Sequence, residues 1–261
     1  MVDVGKIVAF HSYKGGTGKT LLSVNLATTY ASRGKKVCLF DLDFRAPSLQ
    51  AAFKTNDNEY WLNDYLNGIC DVKKVLIDLS QRRVKKGELS VGLANPATEA
   101  IREMSAKDRK WEMKALGRLL TLKNSLLNDM EFDYLVWDTS PGLQYSSINA
   151  IVSADVALVA TTIDASDIEG TQRMTHELYD LFEKKTGIIM NKIPAETISS
   201  ETGKRKLRKQ FETIHGFPIL EIVPCFCDVL RASGTYIFTE EKPEHPFTKI
   251  VDRIATKIER F

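Results

Sequence analysis

Short runs of consecutive apolar residues recur along the chain, and stretches with apolar residues at helical spacing separate them. The runs are continuously apolar rather than alternating, which predicts parallel strands covered on both faces. Regular alternation of strands and helices predicts right-handed crossovers and a doubly wound, mostly parallel sheet with helices on both faces. The predicted strands occupy residues 7–10, 37–40, 89–93, 134–137, 156–160, 188–190 and 219–223. The pattern therefore predicts the α/β class.

Two of the predicted helices have glycines where they are expected to end. The first helix carries apolar residues such as Leu22 on one face and precedes Gly34, a residue typical of helix C-termini. A later apolar stripe runs from Met174 to Phe182, and Gly187 is predicted to end that helix.

Length and charge limit the classes of protein to consider. The chain has 261 residues with 36 Lys+Arg and 34 Asp+Glu, a formal net charge of +2. This balance argues against a surface that binds nucleic acid all over, although it leaves a local basic patch open. The length suits one large α/β domain. We predict a single domain over residues 1–261, in which residues 54–130 form a more variable, helical elaboration.

The lack of recognisable targeting signals and the small number of cysteines predict a cytoplasmic protein. No apolar run approaches the roughly 18–20 residues that span a bilayer. The chain passes from Met1 into the first predicted strand without the pattern of a secretory leader. Its 4 cysteines are few for this length, which favours reduced thiols over a disulfide framework.

A glycine-rich loop after the first predicted strand is the strongest chemical signal. The loop consists of Lys14, Gly15, Gly16, Thr17, Gly18, Lys19 and Thr20. Its glycines allow consecutive backbone N–H groups to surround phosphate oxygens, and the helix that follows adds its positive end. Lys19 is expected to reach the β- and γ-phosphates, and the Thr20 hydroxyl to bind Mg²⁺. Tyr13 stands where the common P-loop pattern has its first glycine, and Lys14 is an additional lysine. These residues predict the P-loop NTPase version of the α/β fold.

The loop pattern K-G-G-x-G-K-[ST] resembles the deviant Walker A loop of the MinD/ParA family of P-loop ATPases, and the overall pattern resembles the MinD/Mrp branch most. Further segments resemble that family's second strand with D-x-D, its switch I, its Walker B strand running into switch II, and its base-binding segment. They are residues 37–43, 44–49, 132–142 and 190–192. The resemblance extends from about residue 5 to the C-terminus and is loosest over residues 54–130.

Three aspartates stand at the ends of predicted strands, where ligands bind in open α/β sheets. Asp138 is expected to hold Mg²⁺ through water. Asp41 and Asp43 lie two residues apart and so point the same way. The resemblance implies that Asp43 orients the attacking water and that Asp41 lies near the Mg²⁺ shell, although the division of labour between the two stays open. It also implies that the Gly142 amide contacts the γ-phosphate.

The resemblance assigns two further residues. Lys14 is implied to reach the phosphates of the other subunit in a nucleotide-sandwich homodimer, although a role in its own site stays open. Asn191 is implied to read adenine through its side-chain amide, with a strand-end turn as the alternative. The guanine-reading pattern N-K-x-D lacks its aspartate here, because Pro194 occupies that position. ATP is therefore favoured over GTP.

Three surface features bear on partners. The basic run 204–209 offers non-specific DNA contact, although a solvated helix face is the favoured interpretation. The apolar stripe from Phe247 to Phe261 offers membrane contact, although packing in the core is favoured. Cys225 and Cys227 offer a metal or cluster site across a dimer, although structural thiols are favoured.

Together these patterns predict a Mg²⁺-dependent ATPase that acts as an ATP-driven dimerisation switch, hydrolyses ATP slowly and is stimulated by a protein activator or cargo. Its predicted role is DNA partitioning or the positioning of a partner within the cell. The alternative is a metal or iron–sulfur cluster carrier of the Mrp type.

Overall fold

The computed structural model describes residues 5–55, 58–83, 86–232 and 237–261. Residues 1–4, part of the segment predicted to lack a secretory leader, lie outside this range. All seven predicted strands are present. The strands are β1 Lys6–His11, β2 Lys36–Leu42, β3 Leu76–Asp78, β4 Glu88–Gly92, β5 Tyr134–Thr139, β6 Val156–Thr161, β7 Lys185–Ile193 and β8 Ile219–Pro224. Strand β3 was not predicted, because a run of three residues is too short to show a period.

Helices connect most of these strands. They are α1 Lys19–Ser32, α2 Leu49–Phe53, α3 Leu62–Asn67, α4 Ser80–Arg83, α5 Thr98–Ser105, α6 Arg109–Asn124, α7 Tyr145–Ser153, α8 Ala165–Met174, α9 Asp180–Phe182, α10 Glu201–His215, α11 Cys227–Arg231, α12 Phe238–Glu241 and α13 Pro246–Glu259. Two π-helical turns, Ser125–Asp129 and Thr175–Tyr179, follow α6 and α8, and 3₁₀ turns lie at Val72–Val75 and Ala195–Ile198. Within the described residues, no helix is both long and apolar enough to cross a membrane.

The strands form one eight-stranded sheet in the order β3-β4-β2-β5-β1-β6-β7-β8. Every neighbouring pair is parallel except β3 and β4. The chain leaves β1 towards β2 on one side of the sheet, whereas β6 lies on the other side of β1. The carboxyl end of β1 is thus a topological switch point, where α/β sheets leave a crevice for ligands. This confirms the predicted doubly wound, mostly parallel sheet.

Side chains along the central strands point alternately to the two faces of the sheet, and each face has its own hydrophobic core. Val8 and Phe10 lie in the core beneath α1, α12 and α13. Ile7 and Ala9 face the opposite side of the sheet, against α3, α6 and α7, and a third cluster packs α8 and α10 against β6 and β7. Both faces of the sheet are therefore covered, which explains why the strand sequences are apolar throughout.

The two predicted helix ends differ in outcome. Helix α1 ends at residue 32 and Gly34 follows it with φ +89°, as predicted. The prediction for Gly187 was wrong, because the preceding helix ends at Glu183 with φ +47° and Gly187 lies inside β7. A Cβ at Gly187 would lie 2.4 Å from a Leu220 methyl carbon. This glycine is therefore explained by close packing between neighbouring strands.

The C-terminal stripe packs in the core, as favoured from the sequence. Its buried members are Phe247, Ile250, Val251, Ile254, Ala255 and Ile258 on α13. Helix α13 lies against α1, where the Tyr30 hydroxyl donates a hydrogen bond to the Ala255 carbonyl at 3.1 Å. Arg33 at the end of α1 adds ion pairs with Asp252 and Glu259. The apolar stripe is therefore already covered by the protein's own sheet and first helix.

Truncation of this buried stripe should destabilise the fold. Ile254 is 1% exposed, so Ile254→Ala is expected to lower the free energy of unfolding by about 2–4 kcal/mol through lost burial and a cavity. Lys249→Ala on the exposed side of the same helix should change it by less than about 0.5 kcal/mol. Urea denaturation measures both, and equal effects would contradict the packing of α13 in the core.

Candidate nucleotide-binding site

The loop between β1 and α1 has the backbone conformation of a phosphate cradle. Gly16 and Gly18 adopt φ +79° and +95°, which only glycine adopts at little cost. Helix α1 begins directly after Gly18, and within the described part of the chain no side chain caps its first amides. Those free N–H groups and the positive end of the helix point to an anion at the switch point.

The loop is braced from below by the end of β7. The buried Asn191 side-chain amide donates to the Thr17 carbonyl at 2.7 Å, and the Lys192 ammonium donates to the Gly16 carbonyl at 2.6 Å. A Cβ on Gly18 would lie 2.3 Å from the Asn191 amide nitrogen. The structure therefore places Asn191 under the loop as a support, and adenine reading by Asn191 stays a prediction. The bracing by Lys192 had no sequence signal beyond its place next to Asn191.

Asp138 brings a buried and only partly compensated carboxylate to the site. It is fully buried at the end of β5, and neither carboxylate oxygen has a hydrogen-bond partner among the described residues. Burial raises the pKa of Asp138 to about 6, while the nearby Thr20 hydroxyl and the Lys19 charge oppose the rise without forming a well-aligned hydrogen bond. A buried carboxylate without a partner beside a hydroxyl is an oxygen donor set that suits Mg²⁺.

Lys19 lies in the same buried pocket of charge. Its side chain is 6% exposed at the first position of α1. Burial lowers the pKa of Lys19, and the charges of Asp138 and Asp43 oppose that change. The charge of this buried ammonium is only partly compensated by the nearby carboxylates. A bound polyanion would stabilise the charged form, because it adds the negative potential that replaces lost hydration.

Asp41 positions the segment that follows β2. Asp41 aligns with Asp138 across the β2–β5 ladder. One of its carboxylate oxygens accepts the backbone N–H groups of Ser48 and Leu49 at 3.0 and 3.1 Å, and the other accepts that of Asp43 at 3.1 Å. Burial, followed by the charge of Asp138, raises the pKa of Asp41 to about 8. Its place near a Mg²⁺ shell remains a prediction.

Asp43 connects two loops beside the cradle. Its Oδ1 atom accepts hydrogen bonds from the Ser140 hydroxyl at 2.7 Å and from the Ala46 amide at 3.1 Å. We refer to residues 43–49, which include the segment 44–49 that resembles switch I, as switch I, and to residues 139–144 as switch II. Ser140 was not predicted to belong to the site. Its partner Asp43 follows a different strand, so the contact arises only when β2 and β5 lie side by side. This carboxylate therefore joins the two loops through hydrogen bonds.

Gly142 in switch II is tied to the strand that leads into the cradle. It has φ +77°, and its amide donates to the Ser12 carbonyl at 2.8 Å. The predicted contact of this amide with a γ-phosphate therefore requires the bond to Ser12 to be exchanged. Gly142 is placed at the edge of the cradle, and its role in sensing phosphate remains a prediction.

Lys14 has an anionic partner within its own chain. Its ammonium pairs with the Asp164 carboxylate at 3.0 Å and also contacts the Ser166 hydroxyl at the start of α8. Hydrogen bonds from Ser166 and Lys14 lower the pKa of Asp164 to about 2. The side chain of Lys14 is partly exposed, so it stands at the rim of the cradle, where it is accessible to another molecule.

The basic run and the two cysteines noted in the sequence lie outside the glycine-rich loop. The basic run 204–209 lies on α10, and Phe211 faces the core from the same helix. Cys225 is half-buried after β8 and Cys227 is exposed at the start of α11. Among the described residues, no group of three or more His, Cys, Asp or Glu side chains is arranged to hold a metal ion.

Comparison with known proteins identifies the family. The family model AAA_31, described as an AAA domain, matches residues 5–192. The septum site-determining protein MinD of Thermotoga maritima is 25% identical over 259 residues, which cover 98% of this chain and 88% of that protein. The chromosome partitioning protein ParA of Myxococcus xanthus is 25% identical over 181 residues, 67% of this chain and 58% of that protein.

A solved structure shows the same fold. The septum site-determining protein MinD of Pyrococcus horikoshii, complexed with Mg-ADP, superposes with a TM-score of 0.75 at 21% identity over 98% of this chain and 96% of that chain. The chain belongs to the MinD/ParA family of deviant Walker A P-loop ATPases. The resemblance drawn from the loop and strand motifs is thereby confirmed.

Substitution of Gly18 tests the brace beneath the cradle. Gly18→Ala is expected to abolish ATP binding, because the methyl group would displace the Asn191 amide and strain a φ of +95°. Gly34→Ala is the matched control, since Gly34 has φ +89° and open space around its Cβ position. It should cost about 1 kcal/mol of stability and leave nucleotide affinity unchanged. Calorimetric titration with ATP measures both, and retained affinity in Gly18→Ala would contradict the brace.

The raised pKa of Asp138 has a consequence for stability. A carboxyl whose pKa is raised by folding binds protons more strongly in the folded state, so the metal-free protein should lose stability as the pH rises from about 4 through 6. Asp138→Asn should remove this contribution and stabilise the metal-free protein at pH 7 by roughly 1–3 kcal/mol. Urea denaturation in EDTA at several pH values measures the difference between variant and wild type. A variant less stable than wild type at pH 7 would contradict the uncompensated charge.

Proposed function

We propose that this chain is a Mg²⁺-dependent ATPase, a single P-loop domain over residues 1–261, that dimerises with ATP bound and uses the nucleotide to take and release a partner. The observation that carries the proposal is the fully buried carboxylate of Asp138 near Thr20 and Lys19, which has no well-aligned hydrogen-bond partner among the described residues. The Mg-ADP complex of the Pyrococcus horikoshii MinD structure supports the choice of nucleotide and metal.

The residues present fit a magnesium nucleotide. The free amides of the loop and of the first turn of α1 donate to phosphate oxygens, and Lys19 supplies a charge to the β- and γ-phosphates. The Thr20 hydroxyl would bind Mg²⁺ directly and Asp138 would hold it through water, and the cation would neutralise phosphate charge. Ionisation of Asp138, which its burial disfavours, becomes favourable beside the cation.

Hydrolysis needs a positioned water and little covalent chemistry from the protein. Asp43 is the carboxylate available for that water, since it is only half-buried and shares its Oδ1 with two donors from the switches. Asp41 acts through the backbone, because its oxygens hold the amides of switch I. This assignment favours Asp43 for the water and Asp41 for positioning.

Dimerisation explains the second lysine of the loop. A cation at the cradle rim is repelled by Lys19 unless an anion compensates it, and Asp164 does so in the isolated chain. In a nucleotide-sandwich dimer, Lys14 would exchange Asp164 for the phosphates bound by the other subunit. The partner chain then completes the site, which makes hydrolysis conditional on assembly.

The biological role that fits best is cytoplasmic positioning or partitioning of a cargo, stimulated by a protein activator. The septum-site and chromosome-partitioning functions named for the two relatives support this class. Basic residues on the solvent side of α10 are available for non-specific DNA contact, with no ion pair among the described residues. The apolar stripe of α13 is buried, which speaks against membrane contact through that helix.

The alternative of a metal or cluster carrier is not favoured. The relatives are septum-site and partitioning proteins, and the thiols of Cys225 and Cys227 differ in exposure. No further side chain among the described residues joins them in a metal-binding group.

Mixing of two inactive variants tests whether Lys14 acts across the dimer. Lys14→Ala and Asp43→Ala should each retain ATP binding and lose stimulated or single-turnover hydrolysis. An equal mixture should recover about a quarter of the wild-type rate, because half of the dimers are mixed and each of these carries one complete site. Phosphate release measures the rate.

The control for mixing is a double variant. A mixture of Lys14→Ala with Lys14→Ala/Asp43→Ala should stay inactive, since neither chain donates Lys14. No recovery in the first mixture, with mixed dimers demonstrated by differential tagging, would place Lys14 in its own site. The ATPase assignment is tested separately from the role of Lys14. It would stand if Lys19→Ala loses hydrolysis and Lys14→Ala still binds ATP, whatever the mixing experiment shows.

A further inference from the structure

A fully buried histidine precedes the phosphate loop and has both ring nitrogens engaged. His11 ends β1 and is 0% exposed. Its Nε2 atom lies 2.8 Å from the carbonyl oxygen of Gly142, and its Nδ1 atom lies 2.8 Å from the hydroxyl of Tyr179. Neither contact belongs to the sheet or to the cradle, and none of the roles considered above uses this side chain.

For a neutral imidazole, the two partners define one tautomer. A carbonyl oxygen only accepts hydrogen bonds, so Nε2 must carry the proton and donate to Gly142. Nδ1 then has a lone pair and accepts the Tyr179 hydroxyl proton. Burial, with a smaller contribution from the charge of Lys19, lowers the pKa of His11 to about 4 against the opposing hydrogen bond to Gly142, which agrees with a neutral ring.

The contact falls on the residue of switch II whose backbone is most constrained. Gly142 has φ +77°, its amide donates to Ser12, and its carbonyl accepts from His11. Two consecutive residues, His11 at the end of β1 and Ser12 directly after it, therefore hold the backbone carbonyl and the backbone amide of Gly142. If the amide exchanges Ser12 for a γ-phosphate, the bond from His11 remains to fix the position of Gly142.

Tyr179 connects His11 to the segment that follows α8. It is buried in the π-helical turn Thr175–Tyr179 that follows α8, and such turns often occur at functional sites. Helix α8, which precedes this turn, contacts the start of the phosphate loop directly. The Tyr13 ring fills the space that a Cβ on Gly170 would occupy. Tyr13 stands where the common P-loop pattern has its first glycine. Its ring is accommodated because α8 has a glycine, Gly170, opposite it.

We propose that His11 is a positioning residue for switch II, which holds the Gly142 carbonyl through its Nε2–H group, and that Tyr179 keeps the imidazole in that orientation. His11 contacts no phosphate and acts only through Gly142. The role in hydrolysis rests on the proposed ATPase function, whereas the orientation of the ring and the protection of switch II do not depend on turnover.

Two substitutions at His11 separate the hydrogen bond from packing. Gln places an amide N–H near the position of Nε2, whereas Met fills similar space without a donor. His11→Met should lower kcat for Mg-ATP roughly tenfold with KM within about twofold, because the cradle binds ground-state nucleotide and switch II acts in the chemical step. His11→Gln should recover most of kcat.

Tyr179 is tested with a matched buried tyrosine. Tyr179→Phe should lower kcat roughly threefold, and the double variant with His11→Met should be no slower than His11→Met alone, since both act through one contact. Tyr30→Phe is the control, because Tyr30 is equally buried and donates one hydrogen bond, to Ala255, far from switch II. It should leave kcat unchanged.

Two readouts need no hydrolysis. Long-range ¹H–¹⁵N spectra of the nucleotide-free protein should show His11 as the neutral Nε2–H tautomer from pH 8 to 5. Hydrogen exchange of the peptide covering residues 139–144 should be roughly tenfold faster in His11→Met than in His11→Gln. An Nδ1–H tautomer, equal exchange in the two variants, or equal kcat losses in them would overturn the positioning role. Absence of hydrolysis in the wild type, with these spectra as expected, would instead overturn the ATPase proposal.

Discussion

The structure depends on one constraint, the concentration of unpaired backbone amides where β1 turns into α1. Two glycines with positive φ expose these amides, and the helix that follows adds its dipole. A loop of this kind has few packing contacts of its own, so other elements hold it. Asn191 and Lys192 support it from β7, and switch II is hydrogen-bonded to the strand that feeds it.

Charges around that loop are arranged for a ligand that carries both signs. Asp138 and Lys19 are buried with incomplete compensation, which costs folding free energy. In the proposed function, a magnesium nucleotide would supply a cation to Asp138 and an anion to Lys19, so that its binding free energy would include relief of that cost. The carboxylates of Asp41 and Asp43 accept backbone N–H groups of switch I, so this loop is hydrogen-bonded to residues at the end of β2 beside the same site.

Several parts of this protein could be read from local sequence, because they depend on neighbours in the chain. Continuous apolar runs identified seven strands of the sheet, and loop composition identified the cradle from Lys14 to Thr20. The short strand β3 and the packing glycine Gly187 could not be recognised in this way. In both cases the deciding contact comes from a different strand: β4 pairs with β3, and Leu220 of β8 packs on Gly187.

By itself, then, the sequence determined the fold class, the position of the phosphate loop and the acidic residues at the strand ends, since period, glycine spacing and strand termini are local properties. Only the tertiary structure decided which groups meet. It placed Asn191 and Lys192 under the loop, paired Lys14 with Asp164, joined Asp43 to Ser140 and set His11 between Gly142 and Tyr179. These pairs are separated by about 100 or more residues, and the order of strands in the sheet is what brings them together.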